Sequence, residues 1–217
     1  MTISHNSFLL LGSLLVMIVM SPILENLPLG RQVMDVLFCV VIVSATLSLA
    51  IRVEVRMLAV ILALAILIVR LTGVFVFGEN WFLTGYVLSL ILIVVAFLSL
   101  MKSIIMTRFI DMKVITDAIS SYLLIGVAWA LVFLIIHTLI PTAFEFGEPD
   151  GYELWTRYVY LSFMTLTTLG YGDITSDNSI VQIWSVLEAV VGVLFQAILI
   201  ARLVSLYGSH VNNQTPD

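Results

Sequence analysis

The stretch Thr165-Leu-Thr-Thr-Leu-Gly-Tyr-Gly-Asp173 interrupts an otherwise apolar chain and decides how the rest is read. Gly170 and Gly172, separated by one residue, permit a backbone that alternates between ordinary and left-handed regions, because glycine takes positive φ without steric penalty. Such alternation can turn successive carbonyl oxygens toward one line. Before this stretch, residues 152–166 are too short and too polar at their start to cross a bilayer. They read as a re-entrant helix whose C-terminal end stops inside the membrane. Non-helical backbone at that depth is tolerated only where protein or a water-filled cavity surrounds it. After it comes a long apolar run, 179–207.

Further apolar runs of the length a membrane helix needs occupy about 8–24, 33–51, 57–77, 83–106 and 114–140. Of the 217 residues, 61% are hydrophobic and 11% charged. A soluble domain of this size has no way to hide so much apolar surface, so lipid must solvate most of it. The expected fold is an all-α membrane protein with six transmembrane helices, a re-entrant helix and a loop. The first run lacks a positively charged flank, so it reads as a retained helix rather than a signal peptide. The net charge of −5 argues against nucleic acid as a partner. Cys39 is the single cysteine, which excludes a disulfide within the chain. No nucleophile–base pair, metal-ligand cluster or nucleotide loop is visible, so no enzyme and no cofactor is expected.

Six spans with both termini inside place Arg52, Arg56, Lys102, Arg108, Lys113 and Arg202 on the cytoplasmic side. Arg31 and Arg157 then lie outside and Arg70 within a span, in agreement with the positive-inside rule. The outer loop ahead of the re-entrant helix is acidic, with Glu145, Glu148, Asp150 and Glu153.

Thr168, Leu169, Gly170, Tyr171 and Gly172 resemble the filter loop of the potassium-channel family, Thr-Val-Gly-Tyr-Gly, with Leu169 in place of valine. The resemblance covers about 114–207 and is nearest to the compact prokaryotic members, which suggests a prokaryotic plasma membrane. It implies a homotetramer around a central axis and passive conduction of K+. The carbonyls of Thr168, Leu169, Gly170 and Tyr171, with the Thr168 hydroxyl, would replace the hydration shell of the ion. Tyr160, Thr167, Asp173 and Glu188 would support the filter. Gly192 falls where the family places its inner-helix hinge, although a glycine there also permits close helix packing. Helical spacing from Gly192 puts Val193, Gln196, Ile200 and Val204 toward the axis. Gln196 then either lines the cavity or bonds a neighbouring helix.

Two departures from the family pattern stand out, and one carboxyl within a span invites a reading of its own. Met164 occupies the position where some members carry a Glu that braces the Asp after the filter, which leaves Asp173 without an identified brace. Tyr160 matches one of two aromatics that cuff the filter Tyr, but Leu161 replaces the other. Glu188 is a carboxyl within a membrane span, expected to meet pore-helix hydroxyls such as Thr165 or Thr167. A structural hydrogen bond and a pH-dependent gating role are both open for it. Four copies of Asp173 and Asp177, with the acidic loop, would concentrate cations at the mouth, within a screening length of roughly 8 Å. For Glu145 and Glu148 a plain solvated loop is the preferred reading.

The chain divides into residues 1–110, a four-helix membrane domain resembling a voltage sensor, residues 111–208, the pore domain, and a polar cytoplasmic tail, 209–217. A sensor needs a cation at every third position of its fourth span, since each charge contributes about 2.3 kcal/mol per 100 mV. That span here holds only Lys102, so little voltage dependence is expected. Arg70 reads as a fixed ion pair with Asp35 or Glu79, and His5 and His137 as interfacial. No soluble ligand-binding domain is expected after the last span. A poorly selective cation channel and a non-conducting sensor or accessory subunit are the rival readings.

Overall fold

The computed structural model describes residues 2–24, 27, 30–48, 53–73, 79–107, 111–144 and 151–212. Their helices are α1 (Thr2–Leu24), α2 (Gly30–Ser48), α3 (Val53–Gly73), α4 (Glu79–Met106), α5 (Met112–Leu139), α6 (Gly151–Leu166) and α7 (Ser179–Asn212). One 3₁₀ turn, Pro141–Ala143, follows α5. Each expected segment is a helix, and α6 is the short one at 16 residues.

Among the described residues four helices are long and apolar enough to cross a membrane: α1 over Asn6–Leu24, α4 over Leu83–Met106, α5, and α7 over Ser179–Ser205. Among the described residues α2 and α3 contribute shorter apolar segments, Val33–Ser48 and Ala59–Val69.

The middle of the molecule is α5, which packs against α1, α4, α6, α7 and the 3₁₀ turn. Its start is fixed by Asp111, whose side chain accepts from the Val114 N–H at 2.9 Å. Such a cap satisfies one of the orphan donors at a helix start. Its end follows from Pro141, which cannot continue the helix ladder. Leu124, Val127, Ala130, Leu131, Phe133 and Leu134 of α5 are fully or almost fully buried. One apolar core joins these to Leu10, Leu14 and Met17 of α1, Phe38 and Val41 of α2, and Trp155 and Tyr158 of α6. Phe38 meets Trp155 edge to face with ring centroids 5.3 Å apart. The first four helices and the last three therefore share one interior.

Lipid is as apolar as leucine, so close packing and polar contacts, rather than escape from water, hold membrane helices together. Where the end of α4 meets the start of α5, Lys113 Nζ lies 2.5 Å from Asp117 Oδ2 and donates to Ser103 Oγ at 3.1 Å. Arg202 of α7 reaches the same corner, donating from Nη2 to the Ile105 and Thr107 carbonyls at 2.8 and 2.9 Å. Those carbonyls belong to the last turn of α4, where unpaired acceptors favour a cation.

One boundary differs from expectation. α7 runs to Asn212, so the first residues of the stretch read as a polar tail are helical. Glu145, Glu148 and Asp150, together with the side chains of His5, Arg70, Glu79 and Glu153, lie outside the described residues. The pairing expected of Arg70 therefore does too.

Candidate functional site: the loop after the re-entrant helix

The helix α6 ends in a tight C-terminal turn. The Leu169 N–H donates to the Met164 carbonyl at 2.9 Å and the Thr168 N–H to the Thr165 carbonyl at 2.9 Å. These paired bonds, five and three residues back, make a Schellman cap whose penultimate residue must be left-handed. That residue is Thr168, at φ 59°. Glycine normally takes this place, and an L-residue there costs roughly 1–2 kcal/mol. The Gly170 N–H also reaches the Met164 carbonyl, at 3.1 Å. Thr168 donates its hydroxyl to the Thr167 carbonyl at 2.7 Å, which leaves the hydroxyl oxygen's lone pairs for a cation.

Beyond the cap the chain is exposed from Thr167 through Asp173. Gly170 and Gly172 have φ of 49° and 76°, both left-handed. A Cβ added at either would meet nothing within 4 Å, so the backbone conformation itself, and not crowding, calls for glycine there. Tyr171 projects outward, 68% exposed. The loop then returns to a fixed anchor. Ser176 donates to the Ala143 carbonyl and accepts from the Asn178 N–H, and Asn178 Oδ1 caps α7 by accepting from the Ile180 N–H at 2.9 Å.

Asp173 has a brace that the sequence did not identify. The Tyr160 hydroxyl donates to Asp173 Oδ2 at 2.7 Å. Tyr160 thus holds the carboxylate after the loop, whereas the family pattern suggested a cuff around Tyr171. The neighbouring carboxylate pushes the Tyr160 phenol above its ordinary range, since ionising it would put two negative charges in contact. An apolar cavity of about 530 Å³ lies beside this pair, between Ile18, Ser21 and Pro22 of α1 and Phe163 and Met164 of α6. Met164 therefore faces α1 at the position where a bracing carboxyl would sit.

Behind the loop, Glu188 of α7 is completely buried. Its Oε1 lies 2.5 Å from the Ser162 hydroxyl, and Ser162 in turn lies 2.7 Å from the Gly126 carbonyl of α5. The expected partners, Thr165 and Thr167, bond instead to the Leu161 and Phe163 carbonyls of their own helix at 2.8 and 2.6 Å. Ser162, one turn before Thr165 on the same helix, is the hydroxyl that meets Glu188. Gly126 is a contact point on both sides, because a Cβ there would stand 2.5 Å from the Phe163 ring.

Gly192 packs against the end of α6. A Cβ on it would fall 2.3 Å from the Leu166 carbonyl oxygen, so glycine is required by close approach. A single stripe of α7 faces the protein, running Val181, Glu188, Gly192 and Phe195. Val193, Ile200 and Val204 are 51%, 60% and 65% exposed, on the face away from it. Gln196 is exposed beside them and donates from Nε2 to the Tyr122 hydroxyl at 3.0 Å. The bond to a neighbouring helix, one of its two readings, is thus present. Leu187, Val190, Leu194 and Ile198 are exposed as well, so most of the circumference of α7 is bare hydrocarbon.

Residues 123–208 match the family model described as ion channel. The match runs from within α5, through α6 and the loop, to near the end of α7. No curated protein and no solved structure matches the chain. The ion-channel segment thus contains every residue singled out above on α6, the loop and α7, while α1–α4 fall outside it. Among the described residues no group of three or more His, Cys, Asp or Glu side chains could hold a metal ion. The oxygen-rich feature of the segment is the loop backbone.

Proposed function

We propose that the protein is a potassium-selective channel, a homotetramer that conducts K+ passively through the loop 168–172. The observation that carries this reading is the loop after α6. A helix too short to cross a membrane delivers an exposed backbone with left-handed glycines at 170 and 172. One such loop cannot enclose an ion, so several copies must converge.

A K+ ion entering a membrane must exchange water for other oxygens. The carbonyls of Thr168, Leu169, Gly170 and Tyr171, with the Thr168 hydroxyl, are the oxygens offered. The C-terminal end of α6 adds the negative end of its helix dipole on the same side. Below the filter, Val193, Gln196, Ile200 and Val204 would line a cavity, and the rest of the apolar surface of α7 would meet neighbouring subunits and lipid. Asp173, held by Tyr160, would keep cations at the outer mouth. With both termini cytoplasmic, in a plasma membrane of prokaryotic type, the corner joining α4, α5 and Arg202 lies inside. The fourth span offers only Lys102 to the field, so voltage dependence of the sensor type is small.

Flux into liposomes carrying the purified full-length protein tests the reading. K+ uptake in strong excess over Na+ is expected. Equal uptake of the two ions would make it an unselective cation channel of the same architecture. Absence of uptake under any gradient would make it a non-conducting membrane subunit.

A further inference from the structure

The hydroxyl of Ser162 stands between two oxygens, and proton counting decides the state of one of them. Gly126 O, 2.7 Å away, is a carbonyl and can only accept. Glu188 Oε1, 2.5 Å away, can only accept if the carboxyl is ionised. Serine has a single O–H to give. An ionised Glu188 would therefore leave one of two short oxygen–oxygen contacts without a proton, inside a site where all three partners are removed from solvent. Glu188 Oε2 is also buried and has no hydrogen-bond partner among the described residues. A bare carboxylate oxygen there would be far more costly than an uncharged one.

We propose that Glu188 is a membrane-embedded proton site: its carboxyl is held neutral, donating its proton to Ser162 Oγ while Ser162 donates to the Gly126 carbonyl. The protons then run one way through three helices, from α7 to α6 to α5. Loss of the Glu188 proton leaves Ser162 serving two acceptors with one hydrogen and breaks the link between the inner helix and α6. That link lies one turn from the contact of Gly192 with the Leu166 carbonyl, at the base of the loop.

Among the described residues no charge on the neighbouring helices compensates Glu188. On α5, Tyr122 accepts from Gln196, while Lys113 and Asp117 pair with each other and His137 lies against Phe144 and Tyr158. On α6, Arg157 stands five residues before Ser162 and acts on Tyr158, and Tyr160 is bonded to Asp173. On α4, Lys102 is exposed, and on α7 Arg202 is spent on the α4 carbonyls.

Infrared difference spectroscopy of the full-length protein in lipid tests the site without requiring conduction. At neutral pH the wild-type protein should show a neutral-carboxyl stretch that is lost in Glu188→Gln and shifted in Ser162→Ala. Raising the pH should convert that band to carboxylate. Thermal unfolding gives a second readout. Glu188→Gln supplies an N–H donor in place of the O–H, so its Tm at neutral pH should stay near wild type and exceed wild type at alkaline pH. Loss of carboxylate bands alone in Glu188→Gln would overturn the proposal. So would a Tm for Glu188→Gln as low as that of Glu188→Ala. If Glu188→Gln does not fold, an unshifted neutral-carboxyl band in Ser162→Ala overturns it by itself. Failure of the flux experiment leaves this site standing, and failure of the spectroscopy leaves the conduction reading standing.

Discussion

At the residue scale the loop owes its shape to three left-handed residues, only two of which are glycines. Thr168 accepts the strained position because its hydroxyl bonds the Thr167 carbonyl and because the Schellman cap needs a left-handed residue there. Gly170 and Gly172 differ from Gly192 in the reason for being glycine. Gly170→Ala meets open space, so its cost is the backbone term of roughly 1–2 kcal/mol. We expect it to abolish selective K+ uptake while the protein still purifies as folded. Gly192→Ala drives a methyl group into a backbone carbonyl, and overpacking of that kind typically costs about 1–3 kcal/mol. A lowered Tm in detergent is the expected result, and an unchanged Tm with altered opening would favour the hinge reading. The phenol of Tyr160 offers a pH test. Its titration is displaced upward by Asp173, so the hydrogen bond is fully present below the ordinary tyrosine range and is lost as pH rises through the displaced value. Asp173→Asn should therefore bring the Tyr160 phenolate absorbance in at lower pH, with Tyr160→Phe as the blank that identifies the band.

Among the elements, hydropathy made the helices legible and rotation made their contacts illegible. Runs of apolar residues bounded by Pro28, the Arg52–Arg56 stretch and the polar segment near Arg108 mark helices whatever they touch. The brevity of α6 was likewise readable, because length against bilayer thickness is a one-dimensional property. Which side of α6 meets α7 is not such a property. Ser162 and Thr165 lie three residues apart and either could have met Glu188. Only the close approach at Gly126 and Gly192 selects Ser162. Tyr160 as the brace for Asp173 was hidden for the same reason. A signal for Arg202 existed, a cation near the end of the last span, but its target is the last turn of α4, far away in sequence. Arg202→Ala removes two charge-assisted bonds at a partly exposed site and should lower stability by about 1–2 kcal/mol. Arg202→Lys should recover only part of this, since a lysine lacks the planar fork. Thermal unfolding of the two variants side by side checks the difference.

In the proposed assembly the loop 167–173 and the bare circumference of α7 are surfaces for other copies to cover. A lone copy would present that loop to lipid, where unsatisfied backbone groups are not tolerated. We expect native mass spectrometry in detergent to find the tetramer, with Val190 and Leu194 changed together to Glu giving smaller species. Current–voltage relations should show no steep activation, and Lys102→Gln should leave their shape unchanged.

In sequence only residues 107–111 separate α4 from α5, and α1 and α2 lie against α5 and α6 of the same chain through Leu14, Met17 and the Phe38–Trp155 pair. In the proposed tetramer each quarter would therefore carry its own companion helices beside it instead of lending them to the next. Inheritance of damage would be local. In mixed assemblies of sound and altered copies, a lesion in α1–α4 should weaken only the quarter that bears it and scale with the number of altered copies. A lesion in residues 168–172 should spoil the shared ring with a single copy.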